Sequence, residues 1–421
     1  MTATDLSYAF AAAVLASLGV QLWLLTRQMR HVAAHRGAVP AAFAASVSLQ
    51  AHQRAADYTL ARGRLAMLSI VVGHAVLLGW TLLGGLDALY STLNASLQPA
   101  LPPLLLQLAL LSGFVLVGAL IELPLDWVAT FRVEQRFGFN RQTQRLWWAD
   151  RAKGAALAAV IGLPLAALVL WLMDASGGLW WLWAWGAWVG FNLLLLVLWP
   201  TVIAPLFNRF EPLADEHLAQ RVQALMQRCG FAAKGLFVMD GSRRSAHANA
   251  YFTGLGAAKR VVFYDTLLAR LTPGEVEAVL AHELGHFKRR HVLQRMVVIF
   301  GASLAGLALL GWLSAQPAFY LGLGVQPRLD APNDALALIL FMLALPPFTF
   351  FLTPLGSALS RRHEFQADAF ACAQADGRDL ARALVKLHED NASTLTPDPW
   401  YARFHYSHPP AAERLAALPA P

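Results

Sequence analysis

The chain has 421 residues, of which 57% are hydrophobic and only 14% are charged, and its mean hydropathy is +0.47. A soluble protein of this length would carry more charge, so the composition excludes an ordinary soluble fold. The net charge of +7 does not indicate nucleic-acid binding. The basic residues cluster beside apolar segments, where membrane topology and anionic lipid account for them.

Seven apolar runs are each long enough to cross a bilayer about 30 Å thick as a helix. Several have tryptophan near an end, which is typical of the membrane interface. One such run could equally be a buried core helix, but seven favour an all-α, polytopic membrane protein. The runs cover residues 8–25, 65–86, 101–121, 154–173, 179–203, 292–313 and 335–352.

Arginine and lysine are unevenly shared among the loops that join these runs. The first and third loops hold six basic residues each, whereas the second, fourth and sixth hold one between them. Because basic loops stay in the cytosol, we expect the N-terminus outside and the C-terminus in the cytosol. The preference for arginine over lysine, with abundant alanine and leucine, favours a bacterial chain and hence the bacterial inner membrane.

The runs divide the chain into four predicted parts. Residues 1–207 hold five spans, 208–291 form a cytosolic insert, 292–356 hold two spans, and 357–421 form a cytosolic C-terminal segment. The insert has an α+β pattern: an amphipathic helix over 213–229, a strand over 235–240, and a hairpin of strands 249–253 and 260–264 that turns at 254–256.

The last helix of the insert has a well-marked beginning. Thr272 is the predicted N-cap, Pro273 the first helical residue, and Glu275 completes a capping box. The helix is predicted to continue through residues 276–289. It carries the most informative motif of the chain, H-E-x-x-H.

Two histidines of this motif, His282 and His286, lie four residues apart and therefore share one helix face. Both imidazoles can then reach a single Zn²⁺. The residue between them, Glu283, can act as a general base toward the water that attacks a peptide bond. The motif thus indicates a metalloprotease.

A catalytic zinc site needs a third protein ligand. The best candidates follow the last span, where Glu364 and Asp368 share a face of a predicted helix. We expect Glu364 to bind the metal and Asp368 to accept the free N–H of a ligating histidine. His363 is the alternative ligand. Two spans separate the histidines from Glu364, and an even number returns the chain to the same side of the membrane.

These motifs, split by two spans in a seven-span chain, resemble those of the CAAX prenyl endopeptidases. Members of that family are integral-membrane zinc metalloproteases that mature the prenylated pheromone a-factor. Further similar segments are spread over nearly the whole chain, at residues 131–150, 203–208, 249–252 and 406–410.

The resemblance implies one Zn²⁺ per chain, in an insert of the gluzincin type. The ligands would be His282, His286 and Glu364, and Glu283 would be the base and proton shuttle. It also implies that the helices form a barrel around a chamber, with the zinc site at its cytosolic end. The sequence alone does not show a chamber.

Four further roles follow from the same resemblance. Asn249 and Ala250 would lie on an edge strand that pairs with an extended substrate. His408 would donate a hydrogen bond to the oxyanion of the tetrahedral intermediate. Arg414 would contact substrate or an acidic neighbour.

The family is best known for prenylated CAAX substrates. For a bacterial chain we also include other hydrophobic, membrane-associated peptides and proteins as expected substrates.

Three other functions fit part of the pattern. An intramembrane site-2-type protease would carry the motif inside an apolar span, but charged residues flank it here. A heat-shock-type quality-control protease of the membrane shares the motifs but normally has fewer spans. A zinc-binding transporter or scaffold would close a structural site with four protein ligands and would have no use for Glu283.

Overall fold

The computed structural model describes residues 2–98, 100–231, 235–253, 260–328 and 332–419. The structure is mainly helical, with one small sheet. The helices are Ala3–Ala34 (α1), Leu49–Trp80 (α2), Gly85–Leu97 (α3), Pro103–Val128 (α4), Gln144–Ala175 (α5), Trp180–Leu198 (α6), Ala204–Phe207 (α7), Glu216–Arg228 (α8), Asp265–Leu268 (α9), Pro273–Lys288 (α10), His291–Leu313 (α11), Pro317–Gly322 (α12), Asp334–Thr349 (α13), Thr353–Gln374 (α14), Gly377–Asp390 (α15), Pro399–His405 (α16) and Ala411–Ala417 (α17).

Seven helical stretches within the described residues are long and apolar enough to cross a membrane, which confirms the predicted fold class. The third stretch ends in a π-helical turn, Ala129–Glu134, and the fifth contains one, Trp199–Ile203, just before α7. The stretches are Ala3–Ala34, Leu49–Trp80, Pro103–Glu134, Gln144–Ala175, Gly177–Phe207, His291–Leu313 and Asp334–Gln374.

Several of these helices are longer than the apolar runs. A helix of 32 residues, such as α1 or α2, extends about 48 Å against a hydrocarbon core of about 30 Å. Five of the six basic residues assigned to the first loop therefore lie on the helices themselves: Arg27, Arg30, Arg54, Arg62 and Arg64. Only Arg36 remains in the loop.

Two predicted ends of spans were wrong. The second span ends at Trp80 rather than at residue 86, and α3 occupies most of the predicted loop that follows. This helix forms because its apolar side, which includes Leu86 and Tyr90, joins the buried core of the bundle. The seventh span does not end at residue 352, since the 3₁₀ turn Phe350–Leu352 leads directly into α14.

A four-stranded sheet lies in the insert, formed by Phe210–Pro212 (β1), Leu236–Met239 (β2), Ala250–Thr253 (β3) and Arg260–Tyr264 (β4). The strand order is β1-β2-β4-β3; β2 and β4 are parallel and the other pairs antiparallel. The predicted pairing of the hairpin strands is confirmed, but its turn lies outside the described residues. β1 was not predicted, because it is three residues long and includes a proline, which only an edge strand tolerates.

The core of the insert joins the sheet to α8, α10 and α15, with Val222, Phe263 and Leu280 fully buried. α10 also packs against α14. Gly285 permits this close approach, since a Cβ at that position would lie 3.0 Å from the Ala367 Cα atom. The polar C-terminal part of the last transmembrane stretch, α14, is therefore in direct contact with the motif helix.

Glu275 links the beginning of α10 to α15. Its buried carboxylate accepts hydrogen bonds from the Thr272 N–H and the Lys386 Nζ, 2.8 and 2.7 Å away. Burial disfavours the charged form, but these bonds prevail and hold the pKa of Glu275 below its ordinary value. The resulting stabilisation is present above the unfolded-state pKa of about 4.3 and is lost as the pH falls through the lowered folded-state pKa.

We therefore expect Glu275→Gln to destabilise the fold by about 1–3 kcal/mol at pH 7, because a buried charged hydrogen bond is lost. The measurement is the midpoint of thermal unfolding in detergent, at pH 7 and again near pH 3. The exposed Glu211→Gln is the control. A Glu275→Gln midpoint equal to that of the control at pH 7 would remove this role for Glu275.

Candidate active site

The beginning of the motif helix is as predicted. Thr272 caps α10, Pro273 is its first residue, and the two hydrogen bonds of a capping box join Thr272 and Glu275. This defined start orients the helix so that His282 and His286 face α14. Their ring centroids are 4.9 Å apart.

Three donor atoms from the two helices meet at one point. The His282 Nε2 atom lies 3.2 Å from the His286 Nε2 atom, and the Glu364 oxygens lie 3.4 and 3.3 Å from these two nitrogens. A tetrahedral ion with bonds of about 2.0–2.1 Å holds its ligand atoms about 3.3 Å apart. Glu364 Oε2 is also buried and accepts no hydrogen bond from the described residues. The donor set thus fits a metal ion.

His282 is oriented from behind by Asp368. The His282 Nδ1 atom lies 2.8 Å from an Asp368 oxygen, which leaves Nε2 directed at the common point. Arg414 in turn donates to the other Asp368 oxygen at 2.8 Å and lies 3.6 Å from Glu364. Burial alone would lower the pKa of His282, but the hydrogen bond to Asp368 and the nearby carboxylate of Glu364 raise it to about 9.

Arg414 is therefore next to acidic neighbours, one of the two contacts expected of it. Its side chain is buried, and part of it reaches the wall of a cavity. The contact with substrate stays a prediction.

His286 has a partner that was not predicted. Its Nδ1 atom lies 3.0 Å from the Nδ1 atom of His291, the first residue of α11, and the His291 Nε2 atom lies 2.8 Å from the Gln366 Oε1 atom. His363, the alternative ligand, lies outside the three-donor cluster and stacks on His291 instead. In the sequence, the only sign of this contact is that His291 follows His286 by five positions.

Glu283 lies half-buried between the two histidines of the motif. Burial raises the pKa of its carboxyl, and Glu364 adds to this effect, while the two histidines oppose it. A carboxylate with a raised pKa is a better proton acceptor, as a general base at neutral pH requires.

His408 approaches the cluster from the C-terminal segment. Its Nε2 atom lies 3.5 Å from Glu364, and its Nδ1 atom lies 3.0 Å from the Ser407 hydroxyl. If the hydroxyl donates to Nδ1, the proton of the ring is on Nε2, facing the site. The side chain is 66% exposed, but it lies on the wall of a cavity, and burial there lowers the pKa of His408.

That cavity has a volume of about 1070 Å³ and reaches from the transmembrane helices to His408 and Arg414. Residues of α1, α2 and α15 line it, together with His408 and Asn249. Ala250 begins the edge strand β3, and the Asn249 side-chain oxygen accepts a hydrogen bond from the Ala250 N–H at 2.8 Å. The structure thus brings His282, His286, Glu364, Asp368, His408 and Arg414 into contact with one another. Asn249 lies on the wall of the same cavity as His408 and Arg414, and the substrate contacts of Asn249 and Ala250 stay predictions.

Comparisons with known proteins cover nearly the whole chain. The model of the CAAX prenyl protease N-terminal region, with five membrane helices, matches residues 28–209, and that of peptidase family M48 matches residues 212–421. The CAAX prenyl protease 1 homolog of Oryza sativa subsp. japonica is 37% identical over 316 residues, which are 74% of this chain and 72% of the relative. CAAX prenyl protease 1 of Saccharomyces cerevisiae is 37% identical over 322 residues, with 72% and 69% covered.

A solved structure agrees with these relatives. The crystal structure of S. mikatae Ste24p matches with a TM-score of 0.92 and 29% identity, over 100% of each chain.

Seven membrane helices, with an insert whose helix α10 brings two histidines to a common point with a glutamate of α14, define the class of the protein as a membrane metalloprotease. The chain belongs to the CAAX prenyl protease family, within peptidase family M48. The family resemblance of the sequence is thereby confirmed, and so is the expectation of a multi-pass membrane protein with protease activity.

Proposed function

We propose that the chain is a zinc endopeptidase that cleaves prenylated CAAX-type proteins or other hydrophobic, membrane-associated peptides. The observation that carries the proposal is the cluster of His282, His286 and Glu364, whose donor atoms lie 3.2–3.4 Å apart beside Glu283. Two imidazoles and a carboxylate are a donor set of catalytic zinc sites, which keep a fourth position open.

His282, His286 and Glu364 would hold the zinc, with Asp368 and Arg414 fixing the His282 ring. When bound, zinc supplies positive charge that lowers the pKa of a water molecule and polarises the scissile carbonyl. The remaining steps belong to the side chains of the protein.

Glu283 accepts a proton from the attacking water and passes it to the nitrogen of the leaving amine. His408 donates its Nε2–H to the oxyanion that forms as the carbonyl carbon becomes tetrahedral. Its place next to Glu364 supports this role, since its Nε2 atom lies 3.5 Å from that carboxylate.

The edge strand supports a peptide substrate in extended form. Among the described residues β3 pairs with β4 on one side only, so its other side faces away from the sheet, where a substrate strand could pair with it. The Ala250 N–H, which now donates to the Asn249 side chain, would exchange that bond for one to the substrate. Asn249 and Ala250 begin this edge. Recognition through the main chain tolerates varied sequences, which suits a protease with several substrates.

We place the protein in the bacterial inner membrane, with the zinc site and the C-terminus on the cytosolic side. The basic residues at the ends of α1 and α2 that adjoin the loop after α1, and those in the segment between α4 and α5, support this orientation. Cysteine accessibility at Ser314 and at Ser393 to a membrane-impermeant thiol reagent in intact cells tests it: labelling of Ser314→Cys alone is expected.

The test of the activity uses purified protein in lipid vesicles and three synthetic peptides. Two share one C-terminal CAAX sequence, with and without a farnesyl group on the cysteine, and the third is an unrelated apolar peptide. We expect mass spectrometry to show hydrolysis of an internal peptide bond in at least one, and the prenyl pair measures the contribution of the lipid. Absence of cleavage from all three, or movement of intact peptide across the bilayer, would contradict the proposal.

A further inference from the structure

We propose that His291 is a positioning residue that fixes the tautomer of His286, through a chain of hydrogen bonds that ends at Gln366. The proposal rests on the metal site proposed above. It is carried by two contacts, 3.0 Å between the Nδ1 atoms of His286 and His291 and 2.8 Å between the His291 Nε2 and Gln366 Oε1 atoms.

The first constraint on the positions of the protons comes from His286, at the metal end of the hydrogen-bond chain. The His286 Nε2 atom faces the His282 Nε2 atom and Glu364, so its lone pair must be free to bind an ion there. A neutral imidazole then carries its proton on Nδ1. That proton points at the His291 Nδ1 atom, which must accept it and therefore carries none.

The second constraint on the positions of the protons comes from Gln366, at the other end of the hydrogen-bond chain. The Gln366 Oε1 atom is a carbonyl oxygen and only accepts hydrogen bonds, so the His291 Nε2 atom must donate. A neutral His291 with its proton on Nε2 has a free lone pair on Nδ1. Both ends therefore select the same tautomer of His291.

The backbone and a neighbouring ring hold His291 in this place. α10 ends at Lys288, and Arg290 adopts the left-handed region with φ of 59°, which a residue with a side chain rarely adopts. This turn folds the first residue of α11 back against His286. The His363 ring then stacks on the His291 ring, with centroids 4.0 Å apart and an interplanar angle of 6°.

The two histidine ligands are thus oriented by different groups. His282 donates to the carboxylate of Asp368, whose charge Arg414 balances, whereas His286 donates to a neutral imidazole. Outer partners of this kind typically change metal affinity by about 10–100-fold when removed. The loss of His291 should therefore weaken the metal site without removing any ligand.

Two substitutions separate the hydrogen-bond role of His291 from a packing role. His291→Phe keeps the ring and its stacking on His363 but has no acceptor. His291→Asn loses the ring, but its Oδ1 atom is as many bonds from Cβ as Nδ1 is and accepts the same proton. The readout is the zinc dissociation constant of the purified, metal-stripped protein, by competition with a coloured chelator, with the thermal unfolding midpoint of each stripped variant measured alongside.

We expect zinc affinity to fall about 10–100-fold in His291→Phe and by no more than about threefold in His291→Asn. The control, His363→Phe, keeps a ring against His291 and should bind zinc as the wild type does. Wild-type affinity in His291→Phe, or an equal loss in both His291 variants, would overturn the role of His291 and leave the metal site intact. Failure of the wild type to bind zinc would overturn the metal site itself and this proposal with it.

Discussion

Glu283→Gln is expected to lower kcat for peptide hydrolysis by about 10³-fold, within the range of about 10²–10⁴ for loss of a general base. Glutamine has nearly the shape of glutamate but accepts no proton at neutral pH. Because Glu283 is not in the three-donor cluster, the variant should still bind one zinc ion with wild-type affinity.

The measurement combines initial cleavage rates with zinc content on the same preparations. The exposed Glu389→Gln is a matched control and should retain wild-type kcat. A Glu283→Gln enzyme with near wild-type activity would refute the assignment of Glu283 as the base. Loss of zinc from this variant would instead show that Glu283 holds the metal.

Glu364→Gln is expected to impair metal binding, on which hydrolysis depends, rather than proton transfer. Glu364 supplies the only negative charge among the three donors, and its Oε2 atom accepts no hydrogen bond from the described residues. A neutral amide in its place is a much weaker ligand. We expect zinc affinity to fall by more than about 100-fold, beyond the effect typical of an outer partner, and hydrolysis to be lost with it.

Zinc competition titration of the purified variant measures this directly. Glu283→Gln is the comparison, because it should combine full zinc binding with almost no hydrolysis. Addition of zinc in large excess should restore part of the activity of Glu364→Gln, but none to Glu283→Gln. Tight, stoichiometric zinc in Glu364→Gln would exclude Glu364 as the third ligand.

The seven spans and the motif helix could be predicted because local patterns determine them. Apolar runs of sufficient length form membrane helices, and the cap formed by Thr272 and Glu275 marks the beginning of α10. The spacing of His282 and His286 places both on one face without reference to the rest of the chain. The contact of these histidines with Glu364 could be predicted only because two intervening spans return the chain to the same side of the membrane.

The features that escaped prediction depend on contacts between distant parts of the chain. The part played by His291 follows from the left-handed turn at Arg290, which no residue type in the sequence indicates. β1 is too short to show a pattern. α3 does carry a helical apolar repeat, at Leu86, Leu89, Tyr90 and Leu93, but it is only 13 residues long and follows directly on an apolar span, which hides its beginning. The close packing of α10 on α14 at Gly285 likewise appears only in three dimensions.

The direct test of the central claim is the zinc content of the wild-type protein, purified in detergent, measured together with its peptide cleavage before and after chelation. We predict about one zinc ion per chain, loss of cleavage when a chelator removes it, and recovery when one equivalent of zinc is returned. Undiminished cleavage by metal-free protein would contradict the account.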